Sequence, residues 1–188
     1  MNKLKLEVSA LIDKFQHHDQ LKDHLVDLID KADNDTEMKE AKNWEYHISK
    51  CDWNNNTDFK NRPWVYLLKP YLQNHFNKCA NFMLYKEAKI KALWYQQYNQ
   101  NDAHGWHIHG DNYTGVYYLQ LPEGSSKTEL VNHYKQDEEI QTAQIEAKEG
   151  DIIIFPSFVV HRSPKIDSDV TKTIISFNLE FNGIKENV

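Results

Sequence analysis

Two histidines and an aspartate occupy alternate positions near the middle of the chain, at His107, His109 and Asp111. In an extended segment, residues at this spacing point to the same face, so the three side chains would converge. Imidazole and carboxylate groups without a thiolate suit iron(II), manganese, cobalt, nickel or zinc. The spacing therefore predicts part of a metal site. A chance surface cluster is the alternative, because the chain contains 10 histidines.

A third histidine, His161, lies about fifty residues downstream, after the apolar residues 152–155 and the turn at Pro156-Ser157. A strand buried on both faces can hold a ligand rigidly at its end. We therefore predict that His161 completes the metal site, with an ordinary polar loop over residues 161–164 as the alternative. Three protein ligands leave coordination positions open for catalysis, whereas a structural zinc site needs four and usually includes cysteine.

The last alternating segment places Lys172, Ile174, Ser176 and Asn178 on one face. A cation, a hydroxyl and an amide on one face of a barrel could bind the carboxylate of a small acid. A solvent-facing lysine on an edge strand is the alternative interpretation.

Composition limits the classes of function. The 188 residues are 40% hydrophobic and 12% aromatic, which excludes a disordered chain. The net charge of -6 argues against a broad grip on phosphate backbones, so we do not expect a nucleic-acid partner. No apolar run is long enough to span a bilayer, and we identify no secretion signal. Cys51 and Cys79 form no CxxC motif, so two free thiols in the cytoplasm are expected.

Hydrophobic periodicity divides the chain into a helical part and a strand-rich part. Apolar residues recur at helical spacing over residues 3–31 and 63–80, with an irregular polar connection between them. From about residue 82 the period changes to alternation, over six or so short segments. We predict one α+β domain over residues 1–188, in which residues 1–81 are mainly helical support and residues 82–188 form a barrel or jelly roll.

Five motifs occur in order over about residues 90–181. They are Trp106-His107-Ile-His109, Tyr113-Thr-Gly-Val-Tyr-Tyr-Leu119, Gly150-Asp-Ile-Ile-Ile-Phe-Pro-Ser157, His161-Arg-Ser-Pro164 and Lys172-Thr-Ile-Ile-Ser-Phe-Asn178. Together they resemble the family of 2-oxoglutarate- and iron(II)-dependent oxygenases that has bacterial and phage members. The resemblance implies a double-stranded β-helix, a distorted cupin-like jelly roll, with the N-terminal helices packed on one sheet.

The resemblance also implies roles for named residues. Iron(II) would be held by His107, His109 and His161, with Asp111 as a substitute for one of the first two or as a partner that orients an imidazole. The co-substrate 2-oxoglutarate would chelate the iron, with its far carboxylate bound by Lys172 and Ser176. Many relatives have arginine at this place, and lysine keeps the charge but loses the bidentate geometry.

The activity implied by the resemblance is that of a dioxygenase. It would hydroxylate an unknown small molecule or protein side chain, with release of succinate and CO2, in the cytoplasm of a bacterium or of a host cell if the chain is phage-encoded. Two other functions stay open: a non-catalytic jelly-roll module for binding or structure, and a cupin-like metalloenzyme that uses three histidines without 2-oxoglutarate.

Overall fold

The structure is a computed structural model, and it describes residues 8–32, 34, 46–132 and 141–185. These residues form two α-helices and eleven β-strands. The helices are α1 (His18–Asp30) and α2 (Pro63–Phe82). The strands are β1 (Leu11–Lys14), β2 (Tyr46–His47), β3 (Lys50–Cys51), β4 (Tyr85–Tyr98), β5 (Ala103–His107), β6 (Tyr113–Gln120), β7 (Glu129–Asn132), β8 (Gln141–Gln144), β9 (Asp151–Pro156), β10 (His161–Ser163) and β11 (Lys172–Ile184).

The strands form two antiparallel sheets. The larger has the order β1-β9-β6-β11-β4-β3, and the smaller has the order β2-β5-β10-β7-β8. Tyr118 and Phe155 of the larger sheet belong to an apolar cluster between the sheets, and Leu130 of the smaller sheet packs against it. This arrangement is a double-stranded β-helix with two helices, so the predicted α+β jelly roll is confirmed.

The central strand β11 separates two cores. Its residues Ile175, Phe177 and Leu179 belong to the cluster beneath the helices. Ile174 belongs to the cluster between the sheets. The alternation of side chains along a strand thus directs one set toward the helices and the other toward the interior of the β-helix. The interior set includes the polar residues that the sequence singled out.

Helix α2 covers the outer face of the larger sheet. It begins with Pro63 at a first-turn position, where the missing N–H is not needed. Trp64, Leu68, Leu72 and Phe76 recur every four residues and are fully buried against the sheet. The helix predicted over residues 63–80 is therefore confirmed, and it continues to Phe82.

The N-terminal segment differs from the prediction of a helix over residues 3–31. Residues 1–7 lie outside the described residues, and Leu11–Lys14 is strand β1, which pairs antiparallel with β9. The apolar spacing of this short segment fits a helix, but the open edge of the larger sheet offers backbone partners, and pairing there decides the conformation. The helix proper is α1, which begins only at His18.

His18, the first residue of α1, packs against the larger sheet. It is buried, and its Nδ1 lies 2.7 Å from the Tyr117 hydroxyl on β6. The first third of the chain thus supplies strands β1, β2 and β3 in addition to helical support. Among the described residues, neither helix has the length and apolar character needed to cross a membrane.

Candidate metal centre

Antiparallel pairing of β5 with β10 brings two distant histidines face to face. His161 is the direct partner of His107 in this register. His109 follows β5, and its backbone N–H donates to the Ser157 carbonyl at 3.0 Å, which fixes it beside the segment leading to His161. One ligand nitrogen from each of the three histidines lies within 4.8 Å of the others. Such convergence matches three protein ligands around one cation.

Backbone carbonyls orient two of the three imidazoles. His107 Nδ1 lies 2.7 Å from the Gly105 carbonyl, and His161 Nδ1 lies 2.9 Å from the Val159 carbonyl. A carbonyl oxygen only accepts, so each Nδ1 carries the hydrogen and donates it. The Nε2 lone pair of each ring is therefore free for a metal, and the tautomer is set before any metal binds.

The histidines are neutral near pH 7. Burial, followed by repulsion from His107, lowers the pKa of His109 to about 4. Burial and the neighbouring histidines lower the pKa of His161 to about 3. Burial likewise lowers the pKa of His107. A metal needs the deprotonated imidazole, so these shifts prepare the cluster for binding.

Asp111 does not continue the predicted alternation. Strand β5 ends at His107, and Asp111 lies in a bend that precedes β6. Asp111 is outside the group of converging ligand atoms among the described residues. The expectation that residues 107, 109 and 111 share one strand face is therefore wrong, because the chain turns toward β6 after His107. A role for Asp111 as a ligand stays a prediction.

A fourth histidine in the cluster, His104, was missed by the sequence reasoning. Its ring stacks on that of His107, with centroids 4.0 Å apart. The register pairs His161 with His107 but Ser163 with His104, so β5 carries one extra residue opposite β10. This bulge moves His104 to the face of His107, although simple alternation puts them on opposite faces. Burial and the other histidines hold the pKa of His104 well below its usual range.

Lys172 lies buried at the start of β11, near the same centre. Its Nζ donates to Ser163 Oγ at 2.6 Å and to the Ser126 carbonyl at 3.1 Å, and it lies 4.4 Å from the centroid of the Tyr98 ring. Ser163 is two residues from His161 along β10, a rise of about 6.6 Å. Burial lowers the pKa of Lys172 to about 7, a shift that Asp102 partly opposes.

Ser176 lines the cavity but already has a partner. Its hydroxyl donates to Gln96 Oε1 at 2.9 Å. The cavity holds about 380 Å³ of empty space, counting the part that opens to solvent. Its walls come from both sheets and include the three histidines, His104, Ser163, Ser176, Trp94, Gln96, Tyr98, Phe155 and Ile174.

The aromatic residues near the site divide between the cavity and the core beneath the helices. Tyr95 and Tyr117 are fully buried in the cluster beneath the helices, so they do not line the cavity. Trp94 lines it instead, with its ring centroid 5.7 Å from that of His109. Trp106 lies outside the cavity, under the Arg162 guanidinium at 4.4 Å. The alternation of side chains along β4 explains why Trp94 lines the cavity and Tyr95 does not, because the two residues face opposite sides of the sheet.

The chemistry of these residues fits a divalent metal with a dicarboxylate beside it. Three neutral nitrogen donors in a partly dry cavity suit iron(II) and leave coordination positions open. Lys172 Nζ has serine partners and no ion pair with a described carboxylate, so an anion that reached it would stabilise its protonated form. His107, His109 and His161 would hold the metal, and Lys172 would hold the far carboxylate of 2-oxoglutarate.

Comparison with solved structures shows where this fold occurs. Viral collagen prolyl hydroxylase from Paramecium Bursaria Chlorella virus-1, in a 2OG complex, matches with a TM-score of 0.61 and 15% identity over 92% of this chain and 94% of that chain. HygX from Streptomyces hygroscopicus, with nickel and 2-oxoglutarate bound, matches with a TM-score of 0.62 and 9% identity over 95% of this chain and 85% of that chain.

A third structure is longer than this chain. An oxidoreductase of the 2OG-Fe(II) oxygenase family from Burkholderia pseudomallei matches with a TM-score of 0.52 and 12% identity over 68% of this chain. The match spans 63% of that protein, less than two thirds of its length. At these identities the three likenesses show a shared fold. No match was found among curated proteins.

The sequence itself matches a family model described as "Putative 2OG-Fe(II) oxygenase" over residues 92–178. This stretch runs from β4 to β11 and contains the converging histidines and Lys172. The resemblance inferred from the five motifs is confirmed. Over residues 92–178, just under half of its length, the chain is therefore similar to the family of 2OG-Fe(II) oxygenases, a family whose description names iron(II) and 2-oxoglutarate.

Proposed function

We propose that this chain is a dioxygenase that couples the oxidation of 2-oxoglutarate to the hydroxylation of a second substrate. One observation carries the proposal: three neutral imidazoles converge in a cavity, and the buried Nζ of Lys172, which forms no ion pair with a described carboxylate, donates to Ser163 of the cavity wall. The imidazoles supply a metal with open positions, and the ammonium supplies an anchor for a dicarboxylate. A fold alone would not require this combination.

The residues of the chain bind the metal and the co-substrate, orient them, and exclude water from the site. His107 and His161 present Nε2, because their Nδ1 hydrogens are engaged by backbone carbonyls. Lys172 fixes the far carboxylate of the co-substrate and is itself positioned by Ser126 and Ser163. Phe155 packs edge-on against His161, with centroids 4.8 Å apart, and keeps that side of the metal dry.

Iron(II), when bound with 2-oxoglutarate and dioxygen, would supply the oxidation that yields succinate, CO2 and a hydroxylated product. The protein contributes a fixed geometry and a shaped cavity. Lysine in place of arginine presents a single ammonium group rather than a planar fork, so co-substrate binding depends on one charged contact.

The second substrate would approach through a wider cleft that adjoins the cavity. This cleft has about 1200 Å³ of empty space, counting its open side, and is lined by His47, Trp106, Arg162 and Lys165 among others. It shares His104, Arg162 and Ser163 with the cavity, so the two spaces lie against the same residues. A small polar molecule or a protein side chain would fit such an opening.

Anaerobic titration tests the proposal. Iron(II) and 2-oxoglutarate added together should produce a weak visible charge-transfer band, and air should then release succinate slowly even without the second substrate. Neither iron nor 2-oxoglutarate alone should give the band. Metal binding without the band or succinate would contradict the proposal.

A second candidate is a cupin-like metalloenzyme that uses three histidines and no 2-oxoglutarate. The observation that favours it is the ligand set, because no carboxylate joins the converging histidines among the described residues. It predicts bound metal with no effect of 2-oxoglutarate on the spectrum. Absence of metal binding would instead favour a non-catalytic binding module.

A further inference from the structure

A second cluster of metal-type side chains lies on the other side of the larger sheet. It contains Asp13 of β1 with His75 and Cys79 of α2, and their ligand atoms all lie within 4.8 Å of one another. Cys79 belongs to the apolar cluster beneath the helices, whereas the cavity described above lies between the sheets. The larger sheet therefore separates the two clusters.

Local geometry explains why the three side chains meet. His75 and Cys79 are four residues apart, so they lie one turn apart on the same face of α2. Leu11 of β1 and Phe15, the residue after β1, pack into the cluster beneath the helices, and Asp13 lies midway between them at the two-residue period of a strand. Asp13 thus faces the helix and lies across from the His75–Cys79 pair.

His75 has a buried ring nitrogen that the rest of the described chain leaves without a partner. Its side chain is only 7% exposed, and no described residue forms a hydrogen bond with its Nε2. Asp13 Oδ2 is the near carboxylate oxygen, at 3.7 Å, too far for a hydrogen bond. A buried nitrogen without a partner destabilises the folded protein. A ligand between His75, Asp13 and Cys79 would remove that destabilisation.

We propose that Asp13, His75 and Cys79 form a second site, which binds a divalent transition metal of the zinc type. Imidazole nitrogen, thiolate sulfur and carboxylate oxygen are the three donors that zinc uses in proteins. Two donors on a tetrahedral zinc at about 2.1 Å stand about 3.4 Å apart, close to the 3.7 Å between His75 Nε2 and Asp13 Oδ2. Water would complete the coordination at the exposed Asp13 side.

Charge balance supports a dication. Burial lowers the pKa of His75, so its imidazole is neutral. Burial and the nearby Asp13 raise the pKa of the Cys79 thiol to about 12, so this group is protonated without a metal. Metal binding would release the thiol proton to solvent, and the thiolate and the carboxylate would together neutralise the two positive charges.

Such a metal would fasten β1 to α2. These elements are connected around the cluster by packing of Phe15 edge-on against His75, with centroids 5.7 Å apart. A metal that binds the folded chain alone raises the free energy of unfolding by mass action. We therefore expect the second metal to stabilise the edge of the larger sheet and to take no part in oxidation.

Cobalt(II) is a suitable probe, because a cysteine thiolate gives cobalt an intense near-ultraviolet charge-transfer band that histidine and carboxylate ligands do not give. The three-histidine centre has no cysteine, so it cannot produce this band. Cobalt titration of the full chain should show the band together with binding of two cobalt ions per chain. Cys79→Ser should abolish the band and leave one ion bound.

Cys51→Ser is the matched control, because Cys51 is also a buried cysteine outside any disulfide of the described residues but lies in the core between the sheets. This variant should keep the band and both ions. Asp13→Asn, at a side chain that is 59% exposed, tests the site with little risk to folding and should weaken the cobalt affinity behind the band at least tenfold.

Absence of the band from the original chain, or its persistence in Cys79→Ser, would overturn the proposal. Zinc should also slow alkylation of Cys79 at least tenfold in the folded protein and raise the melting temperature of a His161→Ala variant, in which the other centre is disabled. If zinc neither slows alkylation of Cys79 nor raises the melting temperature, the proposal is also overturned.

Discussion

The two clusters of metal-type side chains differ in how their donors are held. In the three-histidine centre, His107 and His161 face each other across a strand pair, and a backbone carbonyl fixes each ring. In the second cluster, His75 has an unpartnered Nε2, and Asp13 lies largely in solvent. The first arrangement is preorganised for a metal, whereas the second must close around one.

The difference reflects the elements that carry the donors. Cross-strand register places side chains within a few ångströms and leaves carbonyls nearby to orient them. A helix face opposite an edge strand supplies proximity without such orientation. Preorganisation suits a centre that must keep open positions during a reaction, and a looser cluster suits a site whose metal only stabilises the fold.

The largest effect is expected from His161→Ala. Loss of one of three ligands should lower iron(II) affinity at least about 100-fold, since even loss of an orienting partner costs 10–100-fold. Succinate release should become undetectable, measured by coupled assay with iron(II) and 2-oxoglutarate. His75→Ala is the control and should retain activity within about twofold. Equal losses of succinate release in both variants would contradict the assignment of catalysis to the three-histidine centre alone.

The next effect is expected from Lys172→Met, which keeps the length and apolar stem but removes the charge. A charged hydrogen bond contributes about 1.5–3 kcal/mol, so the concentration of 2-oxoglutarate required for half-maximal succinate release should rise about 10- to 100-fold. Lys31→Met, at an exposed lysine just after α1, is the control. An unchanged requirement in Lys172→Met would remove Lys172 from carboxylate binding.

We expect pH to have a smaller effect, which is on the affinity for 2-oxoglutarate. Burial lowers the pKa of Lys172 to about 7, so above that pH the free protein must take up a proton to bind the carboxylate. The affinity for 2-oxoglutarate should therefore fall as pH rises above 7, by up to about tenfold per unit. Calorimetry in buffers of different ionisation enthalpy measures the proton uptake. Lys172→Arg should abolish this dependence, because arginine stays protonated.

The smallest effect concerns the metal-free protein. Burial lowers the folded-state pKa of His161 to about 3, below the usual 6.5, so between these values the unfolded chain binds the proton and the folded chain does not. Stability is therefore lost as pH falls from 6.5 toward 3, at up to about 1.4 kcal/mol per pH unit for this residue. Urea unfolding of His161→Gln should show a shallower slope than the original chain, whereas His24→Gln, on an exposed helix position, should not.

Much of this fold was readable from local patterns. The apolar face of α2, the alternation of β11 and the turn before β9 are properties of short segments, and the structure confirms them. The convergence of His161 with His107 was proposed from residue types alone, because metal ligands are expensive to bury singly.

The features that were missed depend on contacts between distant segments. Residues 11–14 form strand β1 because they pair with the backbone of β9, and no local pattern of these residues predicts that pairing. His104 joins the histidine cluster because of a bulge against β10, and a bulge shifts the parity of a strand by one. Asp111 leaves the predicted face because the chain turns after His107.

The pairing of β1 with β9 has a consequence for association between molecules. Strand β9 carries Ile152, Ile153 and Ile154, and β1 satisfies its backbone on the side away from β6. Without that short, charged strand, three consecutive isoleucines with unpaired amides would border the larger sheet, a template onto which another chain could add its own strand. Residues 11–14 therefore cover an edge at which strands of other molecules could otherwise pair.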